Sequence, residues 1–228
     1  MTKDGRLELE LDRIGRGVGR GSKPWMERWV LPAGLFVLAF FPRAIYPVSR
    51  GWLWYLRSIR FWDALLSGDW LSTFQRYHPG VTVMWIAGFA LKLFAWTRGL
   101  TSDHLLGVTP ARIGTFDDAV AAGVLALAVV VAACIAWGYV LLKRITDART
   151  ALAGGIFLAL DPFTIGFSKQ IHLNAVLAAF MMMSVLFLLN HLVHKKRVTL
   201  VWSGVFAGLS LLTKLPAIFL LPFAGLSL

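Results

Sequence analysis

The chain has 228 residues, 57% of them hydrophobic and 15% charged, with a mean hydropathy of +0.68 and a formal net charge of +11. That composition excludes a soluble domain and fits an all-α integral membrane protein crossing a bilayer several times. The basic residues stand mostly between apolar runs, so they read as membrane orientation and contact with anionic phosphate; no nucleic-acid partner is implied.

Residues 1–28 form a polar tail with seven cations, Lys3, Arg6, Arg13, Arg16, Arg20, Lys23 and Arg28. No cleavable signal peptide is read there, and GRGVGRGSKP lacks the ending and context of a phosphate loop. Trp29–Val48 is the first expected span, with Arg43 near its far end, where a long side chain snorkels to the interface. The cations before it place the N-terminus in the cytoplasm.

Residues 49–116 form a long first outer loop. Its opening part interleaves Trp52, Trp54, Tyr55, Ile59, Phe61 and Trp62 with Arg57, Arg60 and Asp63, the pattern of a helix lying in the interface. Gly68 ends it. Val81–Trp96 is interrupted by Lys92 and falls short of the ~20 residues a perpendicular span needs. If it does not cross, the cations at 143–149 and 195–197 share the cytoplasmic side with the tail, so it is taken as a second interfacial or re-entrant helix.

The remaining expected spans are Asp117–Leu142, Ala151–Phe167, Leu173–Val193 and Thr199–Leu221, about five in all. Asp117 and Asp118 cap the first of these. Cys134 reads as core packing, and Met181–Met183 as filler or lipid-facing surface. Between the third and fourth spans, Asp161–Asn174 reads DPFTIGFSKQIHLN. Such a polar cluster needs partners in hydrocarbon, so it is expected as an outer-surface turn facing the same side as the long loop.

HPGVTVMW, a span ending LLKR, ALDPFTIGFSKQIHLNAVLAAF and GVFAGLSLLTKLPAIFLLP, in that order, resemble the N-terminal half of the polytopic GT-C glycosyltransferases. The likeness is to the dolichyl-phosphate-mannose protein mannosyltransferases and the bacterial aminoarabinose-type lipid A transferases, and runs from about Trp29 to the end. It implies transfer of a sugar from a polyprenyl-phosphate donor to a protein, lipid or glycan acceptor, by inversion, at the outer face of the cytoplasmic membrane. It also implies a carboxylate early in the first outer loop and a second acidic position after a Ser-Lys/Arg-x-x-His-x pattern. This chain departs at both: Arg50 and Gly51 stand before Trp54–Ser58, and Asn174 holds the second position.

Glycosyl transfer still needs a base or a negative charge near the developing cation. Asp69 and His78 are the catalytic candidates; locally, Asp69 also suits a turn and His78 a helix entry beside Pro79. Arg57 and Arg60 lie three apart on one helix face beside Trp54 and Trp62, suited to a lipid phosphate or to ordinary anionic membrane lipid. Lys169 and His172 frame the turn and are further phosphate candidates. Lys214, mid-span before Pro216, is costly at that depth unless it faces a polar cavity. Asp161 and Asn174 are outer-face candidates that also suit helix caps.

No metal site or certain cofactor is read, although a divalent ion shared by outer-loop carboxylates stays open. The apolar end at Leu228 suggests a truncated reading frame or the N-terminal module of something larger. The alternative function is an inactive or truncated fragment serving as a lipid-binding membrane subunit.

Overall fold

The computed structural model describes residues 25–45, 52–75, 79–109 and 114–227. All regular elements among them are helical. In chain order they are α1 (Leu31–Ala44), entered through a π-helical turn at Met26–Val30, then α2 (Trp52–Ser67), α3 (Val81–Arg98) and α4 (Ser102–Leu106). There follow α5 (Thr115–Ile145), α6 (Ala148–Leu160), α7 (Pro162–Ser168), α8 (Leu173–His194), α9 (Arg197–Thr213) and α10 (Leu220–Ser227). Short 3₁₀ turns occupy Leu71–Thr73 and Leu215–Phe219. The tail to residue 24, with Arg50, Gly51, Arg76, His78 and Arg112, lies outside the described residues.

The 31-residue α5 and 22-residue α8 are long and apolar enough to cross a bilayer, and α6 with α7 makes a third span if taken as one helix bent by 50°. Where the first and last spans were expected stand shorter helices, 14-residue α1 with its π turn and 17-residue α9. The helices pack through small residues. A Cβ on Gly123 of α5 would stand 2.7 Å from Ile171 Cδ1 and 3.7 Å from Leu91 Cγ, so the bare glycine lets α3 and the α7–α8 turn close on α5. A Cβ on Gly155 would stand 2.8 Å from Leu35 Cδ1, where α1 meets α6. Ser184 and Ser203 each donate to the other's carbonyl at 2.9 Å, joining α8 to α9, and Asn190 Nδ2 reaches Leu141 O of α5 at 3.0 Å. Close approach and such polar links hold helices together where lipid is as apolar as the side chains.

The bundle has two ends. At the upper end α1, α6 and α9 finish and α2, α3 and α8 begin. At the lower end lie the π turn, the C-terminus of α5 and the junctions around residues 147 and 195. There Lys143 pairs with Glu27, Asp147 caps α6 by accepting from Arg149 N and Thr150 N, and His194 Nε2 meets Arg144 O at 3.1 Å.

α2 and α3 run in the same direction. Trp54 abuts Gly80, Trp62 abuts Gly88 and donates to Met84 O at 3.1 Å, and Lys92 pairs with Asp63 and Ser102. α3 is tied to the upper end at both Gly80 and Leu91, so it lies beside that end, together with α2.

Four sequence expectations change. Arg43 does not snorkel: it is fully buried, its guanidinium bonded to the carbonyls of Leu158 and Ala159. The turn at Asp161–Asn174 contains a helix of its own, α7, because Pro162 favours a helix's first position and Asp161 caps it. The last span is not continuous, since α9 stops at Thr213 and Lys214 is extended (φ −162°, ψ 142°). Asp117 and Asp118 sit in the first turn of α5, whose N-cap is Gly114, where they meet the positive helix end without side-chain capping.

Candidate functional site

Two proline-made breaks shape the upper end. Pro162 has no N–H for the carbonyl of Leu158, and the bend after α6 also frees Ala159 O. The Arg43 guanidinium supplies both missing donors: Nη2 to Leu158 O at 3.2 Å and Nη1 to Ala159 O at 2.8 Å. It also donates to Thr164 Oγ1 at 3.0 Å and to Ala39 O in its own helix at 2.7 Å. Thr164 N in turn donates to Asp161 Oδ2 at 2.8 Å. One buried cation thus fixes the angle between α6 and α7.

The second break is at Lys214–Pro216. Leu215 starts the 3₁₀ turn with Pro216 second, and α9 ends at Thr213, whose carbonyl is left without a partner in the helix. Gly80 N donates to that carbonyl at 3.1 Å, and the hydroxyls of Thr82 and Thr213 bond each other. Gly80 has φ +54°, and a Cβ there would run into the Trp54 ring. Only glycine both adopts this left-handed conformation at no cost and leaves room for the indole. Trp54 is 7% exposed, and the Arg57 guanidinium stands 4.6 Å from its ring centroid in a cation–π contact. A continuous line of contacts therefore runs from Arg57 through Trp54 and Gly80 to Thr213.

Lys214 lies at the end of that line. Because the backbone is extended there, its side chain leaves the α9 axis, and Nζ donates to Asn174 Oδ1 at 3.1 Å. Asn174 opens α8 beside His172, the helix's N-cap, whose Nδ1 accepts from Asn174 N at 3.3 Å. With Nδ1 accepting, a neutral ring carries its proton on Nε2. Burial, and secondarily the Lys214 charge, hold His172 below the ordinary histidine range, which favours that neutral ring. Phe167 lies against it, ring centroids 5.8 Å apart. The upper end thus gathers a half-buried cation, an amide and a neutral imidazole, with Arg57 further along.

The sequence candidates divide accordingly. His172, Asn174 and Lys214 come together, and Arg57 joins them through Trp54 and Gly80. Lys169 is half-buried at the C-cap of α7, three residues before His172, and Asp161 caps α7 near Arg43. Arg60 is exposed on α2. Asp69 sits beyond the other end of α2, whose last residue, Ser67, is itself about 15 Å along the helix from Arg57 at 1.5 Å per residue. There the Ser72 side chain, and secondarily Ser72 N at 3.2 Å, hold its carboxyl below the ordinary range. His78 lies outside the described residues. Sequence reasoning missed Arg43, Gly80 and Thr213 as parts of the site. Pro162 and Pro216 were the available signal, because each announces an orphaned carbonyl that some donor must reach.

Among the described residues no three His, Cys, Asp or Glu side chains come together. Fold and site define a helical membrane protein with a basic, polar end built on two broken helices. The chain belongs to the dolichyl-phosphate-mannose-protein mannosyltransferase family, whose profile matches residues 111–227, just over half of its length. The family is one of membrane glycosyltransferases of the GT-C type. Comparisons with curated proteins and with solved structures return no match.

Proposed function

We propose that the chain takes a sugar from a polyprenyl-phosphate donor and passes it to a protein, lipid or glycan acceptor at the outer face of the cytoplasmic membrane. In this reading residues 1–28 are a cytoplasmic tail and residues 29–228 the N-terminal part of a five-span GT-C-like module, with the first outer loop at 49–116. The observation that carries it is Lys214 Nζ held 3.1 Å from Asn174 Oδ1, beside neutral His172, where the upper ends of α3, α8 and α9 meet.

The chemistry follows from charge. The acceptor oxygen attacks the anomeric carbon, the bond from that carbon to the phosphate oxygen breaks, and the lipid phosphate leaves with the electron pair. Lys214, Arg57 and the Nε2–H of His172 are donors suited to the charge growing on that phosphate, with Lys169 and Arg60 nearer its approach. Trp54 holds the Arg57 guanidinium over its ring in a cation–π contact. The acceptor proton needs a base. His78, two residues before Gly80 in sequence, and Asp69 are the candidates, and the depressed carboxyl of Asp69 makes it the weaker base of the two.

The test is turnover of labelled polyprenyl-phosphate sugars by the purified full chain, scored as release of lipid phosphate. Release with at least one sugar is expected. Binding without any release would favour a second reading, an inactive lipid-binding subunit. That reading draws on the neutral Asn174 at the position where the resemblance implies an acid.

A further inference from the structure

The lower end carries a second polar pocket, about 320 Å³ in volume, that sugar transfer does not use. Glu27 and Arg28 wall it from the π turn, and Tyr139, Val140, Lys143 and Arg144 from the last turns of α5. Lys143 and Arg144 alone would say little, because cations are favoured at a helix C-terminus and at a membrane interface. Tyr139 says more. Its side chain is 1% exposed, packed with Leu35 and Ala151, yet its hydroxyl has no hydrogen-bond partner among the described residues. Tyr139 lines the pocket one helical turn before Lys143, whose side chain pairs with Glu27 across it. A buried phenol without a partner costs free energy that a ligand oxygen would recover.

We propose that this pocket binds a phosphate group, with the Tyr139 hydroxyl and the Lys143, Arg28 and Arg144 side chains donating to its oxygens. Three cations face one carboxylate, so the pocket favours an anion, and it has room for a phosphodiester headgroup. The π turn matters here because it sets Glu27 and Arg28 out of α-helical register, with Leu31 N donating to Met26 O, and π turns often mark binding sites. Glu27 holds Lys143 in place when the pocket is empty and repels the anion that enters.

The two sources of such a phosphate, an anionic lipid headgroup or free phosphate, are separated by competition. The delipidated full chain is titrated with dioleoyl phosphatidylglycerol or dioleoyl phosphatidylcholine and bound lipid is counted by native mass spectrometry, with and without excess inorganic phosphate. Phosphatidylglycerol is expected to be retained over phosphatidylcholine, and Lys143→Gln and Tyr139→Phe each to weaken it about tenfold or somewhat less. Displacement by inorganic phosphate identifies free phosphate as an occupant, and retention against it identifies the lipid. Glu27→Gln breaks the same ion pair as Lys143→Gln but removes the repelling charge, so it is expected to tighten binding. If both variants weaken retention alike, or the two lipids are held equally, the proposal is overturned.

Discussion

Lys214 and Asn174, forty positions apart, meet through a single hydrogen bond of 3.1 Å between Nζ and Oδ1. The amide occupies the lysine without neutralising it, which leaves its charge for an incoming phosphate. Asn174→Asp would turn this contact into an ion pair of a partly buried kind, adding about 1 kcal/mol of stability while drawing the lysine from the ligand. A higher melting temperature with severalfold weaker donor binding is expected. Tighter donor binding by this variant would contradict that role for Lys214.

Arg43 heals the α6–α7 break. Arg43→Leu keeps the apolar bulk but strands the Leu158 and Ala159 carbonyls, so a loss of roughly 3 kcal/mol is expected from acceptors costing about 1–3 kcal/mol each. Arg43→Lys, with one nitrogen in place of a fork, should lose about half as much. Thermal unfolding in detergent reads both, and a melting temperature unchanged in Arg43→Leu would refute the bracing role.

Gly80→Ala puts a side chain where the Trp54 ring already is, on a backbone at φ +54°. Left-handed strain of about 1 kcal/mol adds to the cost of displacing the indole and loosening the bond to Thr213. Lower stability and a change in Trp54 fluorescence are expected together. Gly99→Ala, strained in the same way (φ +63°) but in open space, is the control for strain alone.

His172 gives a pH dependence of definite sign. Burial and the Lys214 charge lower its folded-state value, so below about pH 6.5 the unfolded chain takes up a proton that the folded chain resists. Folded stability from this residue therefore falls as the pH drops below the ordinary histidine value. Melting temperatures compared between about pH 7.5 and about pH 5.5 should show a smaller acid loss in His172→Gln than in the parent. An identical acid loss in both would place the titration elsewhere.

The proposed function requires the upper end to face outside and the lower end the cytoplasm. In a Cys134→Ala background, Leu71→Cys and Gln170→Cys should react with a membrane-impermeant maleimide from outside intact cells, and Lys196→Cys should react only after lysis. Reaction of residues 71 and 170 from opposite sides would leave no shared pocket.

Much of the bundle was legible in the sequence because hydrophobic length is a local signal. α5 and α8 fall within a few residues of the expected spans, and helices α2 and α3 stand where two helices were expected in the first loop. The anomaly at Lys214–Pro216 was also visible, since a charge next to a proline inside an apolar run demands an explanation. What pattern alone misses is partnership at a distance. The rule that arginine snorkels is sound for an isolated helix, and Arg43 departs from it because a break 115 residues away offers better acceptors. Gly80 likewise looks like an ordinary turn residue until Thr213 and Trp54 are brought against it.

The most direct measurement is equilibrium binding of a labelled polyprenyl-phosphate sugar to the full chain in nanodiscs, for the parent and for Lys214→Gln, which keeps a donor for Asn174 but loses the charge. Saturable binding by the parent, weakened tenfold or more in the variant, is expected for the loss of about 1.5–3 kcal/mol of charged hydrogen bonding. Equal affinity in both proteins would contradict a donor phosphate seated at Lys214.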